Sequence, residues 1–351
     1  MGWNSWYNFA CNINESIIRE QADAMASNGM IEAGYQYINI DDCWQGKRDA
    51  KGNIQSDPKT FPSGIKDLAD YVHSKGLKLG LYTDAGVATC RGRPGSEGHV
   101  ERDAQTYAQW GVDYLKEDWC YASGLNPKAA YREMGAALIN TGRPIVFSLC
   151  DVGIESPWIW GAAAGANLWR TTGDSSNQFS RILAILQRQI KLAPYAEPTH
   201  WNDPDILQVG RGMSQSEDRA QFSLWAILAA PLLAGNDLTQ MSQETLQILT
   251  APEVIAVDQD PAGIQGTKVQ ETGQLQVWSR PLQEKNTRAV VILNRGPRYG
   301  VIAVNWQDLG LAPGVAAVRD LWEQKDLGTY DNSIDAGVES HSAMMIKVVE
   351  N

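Results

Sequence analysis

The chain has 351 residues, 43% of them hydrophobic, which predicts a globular protein with one large domain and a smaller one. Its formal net charge of −11 argues against nucleic acid or an anionic membrane surface as a partner, since both need basic patches. The sequence contains no run of eighteen apolar residues and no basic-then-apolar leader at Met1, so it predicts neither a membrane span nor a signal peptide in this chain.

Short apolar runs alternate with helical patterns through the first 240 residues, which is typical of repeated β/α units on a parallel sheet. The predicted strands are 2–6, 35–41, 77–83, 112–117, 144–149, 167–171, 199–201 and 231–234. Helical spacing of apolar residues is clearest over 65–72, 182–192 and 220–230. Eight such units predict an α/β protein with a (β/α)8 TIM barrel.

The pattern changes after residue 263, where short alternating runs are separated by Gly, Pro, Asn and Asp. These runs lie at 275–278, 289–293, 300–304 and 343–349. They predict a small C-terminal antiparallel β domain, built as a sandwich. We therefore place a catalytic barrel at 1–264 and the β domain at 265–351.

Aspartates accumulate at the carboxyl ends of the predicted barrel strands. They are Asp41, Asp42, Asp84, Asp118, Asp151, Asp174, Asp203 and Asp205. Any one of them could simply belong to a solvated strand end or a turn, where Asp is favoured. Their recurrence on one end of strand after strand instead favours an active site, because a TIM barrel keeps its active site on that face.

Two of these aspartates have a cation on their own strand. Lys116 and Asp118 in Tyr114-Leu-Lys-Glu-Asp-Trp-Cys120 are two residues apart and project to the same side, and Arg170 precedes Asp174 by four. Structural salt bridges would explain both pairs. The functional interpretation is that Asp118 is a carboxylate nucleophile supported by Lys116 and that Asp174 is a proton donor, with Arg170 directed at substrate more than at Asp174.

Paired carboxylates suit glycoside hydrolysis, and a separation of about 5 to 5.5 Å would mean retention of configuration. The five cysteines form no Cys-x-x-Cys and the four histidines have no paired metal spacing. No metal or other cofactor is therefore predicted.

Several segments are similar to those of a known family. Gly34-Tyr-Gln-Tyr-Ile-Asn-Ile-Asp-Asp-Cys-Trp44 resembles the signature of the melibiase-type α-galactosidases, glycoside hydrolase family 27. Family motifs are also resembled, in the family's order, by Met1-Gly-Trp-Asn-Ser-Trp6, Tyr82-Thr-Asp-Ala-Gly86, Tyr114–Cys120 and Trp201-Asn-Asp-Pro-Asp205. The resemblance spans most of residues 1–266 and implies an enzyme that removes terminal α-linked galactose from a carbohydrate.

The resemblance also implies roles for individual residues. Asp118 takes the nucleophile position and Asp174 the acid/base position. Asp41 and Asp42 match the pair that binds the galactose 4- and 6-hydroxyls, and Trp6 matches the aromatic residue that packs on the sugar. Further contacts to the ring are implied for Tyr82, Lys116, Arg170 and Asp205.

The cysteines fall on family positions as well. The resemblance pairs Cys11 with Cys43 and Cys90 with Cys120, and it leaves Cys150 free. Five reduced thiols would be the pattern of a cytosolic protein. Two disulfides favour secretion or another oxidising compartment, and therefore a leader that has been removed.

The chain departs from the family after the fifth strand. Family members commonly have Cys-Glu-Trp-Gly there, whereas this chain has Cys150-Asp-Val-Gly153. The resemblance implies that this loop, with Cys150 and Asp151, faces the sugar 2-position, so the exchange of Trp for Val152 would open space there. Glu117 and Trp119 beside the nucleophile are also atypical.

These departures keep three alternatives open. One is an α-N-acetylgalactosaminidase, and another is a β-L-arabinopyranosidase, which fits less well because a pentopyranose has no 6-hydroxymethyl for Asp41. The third is a sugar-binding barrel without catalysis. The predicted partner is in each case a carbohydrate, and the sequence carries no prediction of an oligomeric state.

Overall fold

A computed structural model describes residues 1–350. The chain is organised in two units. The first contains residues 1–174 and 233–241, and the second contains residues 175–232 and continues from residue 242. The boundary that the sequence predicts between residues 264 and 265 stays a prediction.

Eight parallel strands confirm the predicted α/β barrel class. They are β1 Gly2–Asn4, β2 Tyr37–Asn39, β3 Lys78–Asp84, β4 Tyr114–Asp118, β5 Val146–Cys150, β6 Leu168–Arg170, β7 Trp201–Asp203 and β8 Leu233–Ala234. Within the first unit the strand order is β6-β5-β4-β3-β2-β1-β8, and the second unit supplies β7. The chain order of β1 to β6 is thus the spatial order, as short β/α crossovers require.

Helices connect and follow these strands. They are α1 Trp6–Phe9, α2 Glu15–Ser27, α3 Gly64–Ser74, α4 Val100–Trp110, α5 Pro127–Asn140, α6 Phe179–Gln189, α7 Gln215–Ile227, α8 Gln243–Leu249 and α9 Pro252–Asp258. Local sequence sets several boundaries. The Asn14 side chain accepts the Ile17 N–H to start α2, and Ser214 with Glu217 forms a complete capping box that starts α7.

The C-terminal strands form the antiparallel β-sandwich domain that was predicted. They are β9 Thr267–Thr272, β10 Leu275–Pro281, β11 Thr287–Asn294, β12 Gly300–Asn305, β13 Val315–Asp320, β14 Lys325–Asp331, β15 Ser333–Val338 and β16 Ser342–Glu350. Six of them form one sheet in the order β14-β13-β16-β11-β10-β9, and β12 pairs with β15. A continuous apolar core that includes Val290, Ile292, Trp306 and Ile346 lies inside this domain.

Within the second unit, helix α7 lies against side chains from the C-terminal strands and the loops between them. Trp322 Nε1 donates to Ser223 Oγ (2.9 Å), and the fully buried Arg280 donates through Nη1 to the Ala226 carbonyl (3.0 Å). The imidazole Nδ1 of His341 lies 3.2 Å from Glu217 Oε1. These contacts join barrel helix and β domain through specific polar atoms as well as through apolar surface.

The structure corrects some of the predicted strands. Strand β1 ends at Asn4, so Trp6 lies in α1 and not in a strand. Strand β7 begins at Trp201 because Thr199 has a positive φ of 75°, which is incompatible with extended backbone. The sequence prediction missed β9, β13, β14 and β15. The largely exposed strand β14 offers no apolar alternation to detect, whereas β15 does alternate, with Ile334, Ala336 and Val338 buried.

Within residues 1–350, no helix is long and apolar enough to cross a membrane.

Two disulfides lie in the first unit, and they are the pairs that the resemblance implies. Cys11 pairs with Cys43 and Cys90 with Cys120, with Cα–Cα distances of 5.3 and 5.1 Å. Among the described residues, Cys150 is the one free cysteine and is buried. In the chain-entropy model, each bridge stabilises the folded state by about 3 to 4 kcal/mol, because it restricts the unfolded chain.

We expect a thiol-reactive dye to detect one thiol per chain in denaturant without reductant, and five after reduction. The reason is that four of the five cysteines are joined in pairs. A Cys150→Ser variant should show none before reduction. Five reactive thiols in the unreduced wild-type protein would contradict both disulfides.

Candidate active site

Three neighbouring strands align the candidate residues at their carboxyl ends. The parallel register pairs Tyr82 of β3 with Lys116 of β4, and Asp118 of β4 with Cys150 of β5. Along β4, Lys116 and Asp118 are partly accessible, whereas Glu117 between them is only 1% exposed. This alternation follows from the two-residue period of a strand. The predicted placement of Lys116 and Asp118 on one face is therefore observed.

The carboxylate of Asp118 is held by two hydrogen bonds. The Tyr82 hydroxyl donates to Oδ2 (2.9 Å) and the Trp119 N–H donates to Oδ1 (2.9 Å). Burial, and then the negative charge of Asp118, raises the pKa of the Tyr82 phenol far above its usual range, so the hydroxyl remains a donor. Both oxygens of Asp118 are thus fixed in direction while lone pairs remain on each.

Lys116 forms its ion pair with Asp41 and not with Asp118, which corrects the interpretation from the sequence. Its Nζ lies 3.0 Å from Asp41 Oδ2, and the side chains are 14% and 3% exposed. Burial opposes the charge of Lys116, but the carboxylate of Asp41 and then other negative groups raise the pKa of the ammonium well above its ordinary value. Lys116 is thus a permanent cation at this site.

The adjacent carboxylates Asp41 and Asp42 are oriented by other partners as well. Asn4 Nδ2 donates to Asp41 Oδ2 (3.0 Å), and the Asp42 N–H donates to Asp41 Oδ1 (3.0 Å). Asp42 accepts the N–H groups of Cys43 (2.6 Å) and Arg91 (2.9 Å) on its two oxygens. Burial raises the pKa of the Asp42 carboxyl, and the backbone donors oppose that rise.

Trp6 is half-buried, and Arg91 links it to Asp42. The Arg91 guanidinium lies 5.9 Å from the centre of the Trp6 ring, while the Arg91 N–H binds Asp42. Arg91 and Asn4 were missed from the sequence. Asn4 carried a signal that could have found it, because it lies at the carboxyl end of the first strand, where barrel site residues are expected.

Arg170 contacts Asp174, although the sequence predicted that it would be directed at substrate more than at that residue. Its Nη2 lies 3.1 Å from Asp174 Oδ1 and donates to the Thr172 carbonyl (3.1 Å), and its Nη1 lies 3.8 Å from Cys150 Sγ. Arg170 is 3% exposed, whereas the Asp174 side chain is 62% exposed. The buried guanidinium therefore holds one carboxylate oxygen of Asp174, while most of this side chain is open to solvent.

The loop after β5 is shaped by its own aspartate. Asp151 Oδ1 accepts the Gly153 N–H (2.9 Å) and Oδ2 accepts the Glu155 N–H (3.1 Å). Val152 has a φ of 50°, a left-handed conformation that is a true outlier for a β-branched residue. Ile154 is 70% exposed. Both oxygens of Asp151 therefore bind the loop backbone, which leaves fewer lone pairs for a ligand than an unbound carboxylate would have.

Asp205 lies in the second unit, directly after β7. It is 2% exposed and has a φ of 92°. Its Oδ2 accepts the Ser175 N–H (2.7 Å), and its carbonyl accepts Trp225 Nε1 (2.7 Å). A non-glycine residue in this conformation is retained where surrounding bonds over-determine it, which is common at functional sites.

The two residues that flank Asp118 have different surroundings. Trp119 stacks on Tyr131 with ring centres 5.4 Å apart and an interplanar angle of 29°. Glu117 is directed to the opposite face from Asp118, and burial raises the pKa of its carboxyl well above the usual range. Glu117 therefore lies behind the strand, where burial favours its neutral form, and does not share the face of Asp118.

Comparisons with known proteins agree with the motifs. A family model described as alpha galactosidase A matches residues 1–260. The chain belongs to the α-galactosidase A family. A second model, the alpha galactosidase C-terminal beta sandwich domain, matches residues 272–348. The resemblance to the melibiase-type family read from the sequence is thereby confirmed.

Individual family relatives align over nearly the whole chain. A probable alpha-galactosidase of Dictyostelium discoideum is 49% identical over 99% of this chain and 91% of its own length. The alpha-galactosidase of Cyamopsis tetragonoloba is 50% identical over 98% of this chain and 84% of its own. The crystal structure of alpha-galactosidase I from Mortierella vinacea superposes with a TM-score of 0.97 at 37% identity, covering 100% and 96% of the two chains.

Removal of the Lys116 charge should destabilise this family member strongly. We expect Lys116→Met to lower the free energy of unfolding by about 3 to 5 kcal/mol, since it leaves the Asp41 carboxylate buried without its cation. Urea denaturation would measure this loss. Lys116→Met combined with Asp41→Asn should recover part of it, because the double variant has no unpaired charge.

The exposed pair Lys66 and Asp70, whose side chains are 53% and 59% exposed, provides the matched control. Lys66→Met should change the free energy of unfolding by less than about 1 kcal/mol. An equally small effect of Lys116→Met would show that the Asp41 ion pair does not stabilise the fold.

Proposed function

We propose that the protein is a retaining exo-α-galactosidase, which hydrolyses terminal α-linked galactose through a covalent galactosyl-Asp118 intermediate. The observation that carries this proposal is the geometry at Asp118. Its carboxylate is oriented by the Tyr82 hydroxyl and the Trp119 N–H at the active-site end of a barrel strand, in a chain that belongs to the α-galactosidase A family.

The proposed reaction has two steps. In the first, an Asp118 oxygen forms a bond to the anomeric carbon, the glycosidic C–O bond breaks, and Asp174 gives its proton to the departing oxygen. In the second, Asp174 takes a proton from a water molecule whose oxygen attacks the same carbon and releases Asp118. The exposure of Asp174 to solvent suits a group that must exchange protons with both leaving group and water.

The sugar would be recognised by fixed charges around this centre. Asp41 and Asp42 are already bound by protein donors, so their remaining lone pairs accept hydroxyl hydrogens in set directions. Lys116 offers N–H donors beside Asp41. We propose that these groups bind the 4- and 6-hydroxyls, with Trp6 on the ring and further contacts as the family pattern implies. A sugar without the axial 4-hydroxyl would leave such buried groups unsatisfied.

The loop after β5 favours one alternative over the others. Val152 replaces the family's common Trp, and both oxygens of Asp151 accept backbone N–H groups. A smaller side chain and an occupied carboxylate would admit a larger substituent at the sugar 2-position. An α-N-acetylgalactosaminidase is therefore the second candidate function, ahead of a β-L-arabinopyranosidase or a binding module without catalysis.

The two disulfides support a further part of the proposal, the compartment. Cytosolic thiols are kept reduced, whereas disulfides persist in oxidising environments. We propose that the enzyme acts outside the cytosol, as a secreted protein or in an oxidising compartment. The thiol count described above tests this part separately from the activity.

A panel of p-nitrophenyl glycosides decides between the candidate activities. We expect kcat/KM for the α-galactoside to exceed those for the α-N-acetylgalactosaminide and the β-L-arabinopyranoside by at least about tenfold, which corresponds to 1.4 kcal/mol of transition-state discrimination. A higher value for the acetamido sugar would establish the second candidate. Turnover of none of the three would favour the binding module.

Within this panel, Asp118→Asn tests the nucleophile. It should lower kcat by about 10⁴-fold or more, as loss of a residue central to covalent catalysis does. Glu117→Gln is the matched control, since it exchanges the neighbouring acid, already neutral, for a neutral amide of the same shape. Its activity should stay near that of the wild type. Retained turnover in Asp118→Asn would refute the assignment.

The stereochemistry of the first product tests retention. Proton NMR of the reaction should show α-galactose before mutarotation produces the β-anomer, because two displacements at the anomeric carbon restore its configuration. Early appearance of the β-anomer would mean a single displacement by water and would exclude the covalent intermediate.

A further inference from the structure

A buried aspartate without a role in the proposed reaction adjoins the nucleophile. Asp84 is the last residue of β3, is 0% exposed and pairs in register with Asp118. A carboxylate oxygen of each aspartate and the sulfurs of the Cys90–Cys120 disulfide all lie within 4.8 Å of one another. The disulfide sulfurs offer no thiolate to a metal ion, so cation binding does not account for this cluster.

The carboxylate of Asp84 joins two loops. Its Oδ1 accepts the Gly86 N–H (2.9 Å), in the loop after β3, and its Oδ2 accepts the Cys120 N–H (2.8 Å), in the loop after β4. Both oxygens are thereby engaged by backbone donors. Cys120 lies only two residues after Asp118, so Asp84 fixes the backbone that immediately follows the nucleophile.

This backbone determines how Asp118 is held. The Trp119 N–H that donates to Asp118 Oδ1 belongs to the peptide unit directly before the Cys120 N–H. The two peptide planes meet at the Trp119 Cα, so the φ and ψ of Trp119 set the angle between the two N–H groups. The Ala85 N–H also donates to the Asp118 carbonyl (3.0 Å), which closes a ring of bonds between the two strand ends.

The two loops are in direct backbone contact. A Cβ added to Gly86 would lie 2.3 Å from the Cys120 carbonyl oxygen and 2.4 Å from that of Tyr121. Such a contact leaves no space in which either loop could move toward the other. The Gly86 backbone that Asp84 holds is thus packed directly against the segment that follows Asp118.

We propose that Asp84 is a positioning residue for the nucleophile, and that it acts by holding the Cys120 N–H and thereby the direction of the Trp119 N–H bond to Asp118. This inference rests on the proposed function, since it takes Asp118 as the attacking group. Misplacement of a reacting group by about 1 Å can cost 10²-fold in rate, so a hydrogen bond two residues away is close enough to matter.

The charge state of Asp84 supplies an independent readout. The pKa of its carboxyl is raised to about 8, chiefly by burial and also by the negative charges of Asp118 and Asp42, while the Gly86 and Cys120 N–H groups oppose the rise. Glu117 and the Tyr82 phenol also interact with Asp84. Ionisation above about pH 8 would therefore place a new negative charge within the cluster beside Asp118.

Asp84→Asn is the decisive variant. Its amide oxygen can accept one of the two N–H groups, but its NH2 group opposes the other. We expect kcat for p-nitrophenyl α-galactoside to fall about 10- to 100-fold with KM within about twofold of wild type, measured per folded molecule. We also expect kcat of the wild type to decline above about pH 8 and kcat of the variant to show no such decline, because the amide does not ionise.

Asp218→Asn is the matched control. Asp218 is 5% exposed, its Oδ2 accepts the Gly210 N–H (2.9 Å), and burial raises the pKa of its carboxyl to about 7. It thus shares the burial, the backbone bond and the titration of Asp84, but it belongs to helix α7. Its kcat should stay within about threefold of wild type at every pH.

Several outcomes would overturn the inference. A kcat of Asp84→Asn within about threefold of wild type would do so, as would an equal loss in Asp218→Asn, which would indicate general destabilisation. Retained activity of Asp118→Asn would instead refute the proposed function, so the two failures are distinguishable.

If Asp84→Asn does not fold, the wild-type protein still provides a test. With 2,4-dinitrophenyl α-galactoside the leaving group needs no proton, so loss of the Asp174 proton cannot lower the rate. A decline of kcat with an apparent pKa near 8 would then support Asp84 as its origin. A constant kcat through pH 9 would overturn the inference.

Discussion

Buried carboxylates gathered at the strand ends are the constraint on which the rest of this site depends. Like charges repel strongly at short distance in a medium of low dielectric constant, so each acid needs a compensating partner. Asp41 has the Lys116 ammonium, Asp118 has the Tyr82 hydroxyl, and Asp42 has backbone N–H groups. If any one of these partners were removed, the neighbouring acids would have to take up protons or move.

These compensating bonds also decide the shapes of the loops. Several of the donors are backbone N–H groups in the loops that follow the strands, as at Trp119 and Arg91. The loops of the proposed sugar site are therefore folded around the acids that would bind the sugar. Such preorganisation places charge before substrate arrives, so that little reorganisation is needed during reaction. The strict barrel register of β3, β4 and β5 provides the rigid base for this arrangement.

Much of this arrangement could be predicted from sequence, and the remainder could not for physical reasons. The eight strands, the face that carries Lys116 and Asp118, and the family all follow from local periodicity and motifs. The Lys116–Asp41 pair did not, because strand alternation gives the face of a residue but not its partner 75 positions away. The positive φ of Val152 and the two backbone bonds of Asp84 were likewise invisible, since they depend on how loops meet after folding.

The contacts of helix α7 have a consequence for how this architecture can be divided. The helix belongs to the barrel by sequence, yet Ser223, Ala226 and Glu217 each bind side chains that arrive from beyond residue 275. A chain cut after residue 264 would expose these surfaces and leave buried polar atoms unpaired. The β domain is accordingly bound to helix α7 by specific contacts. Recombination could not exchange this domain as a module unless α7 were redesigned as well.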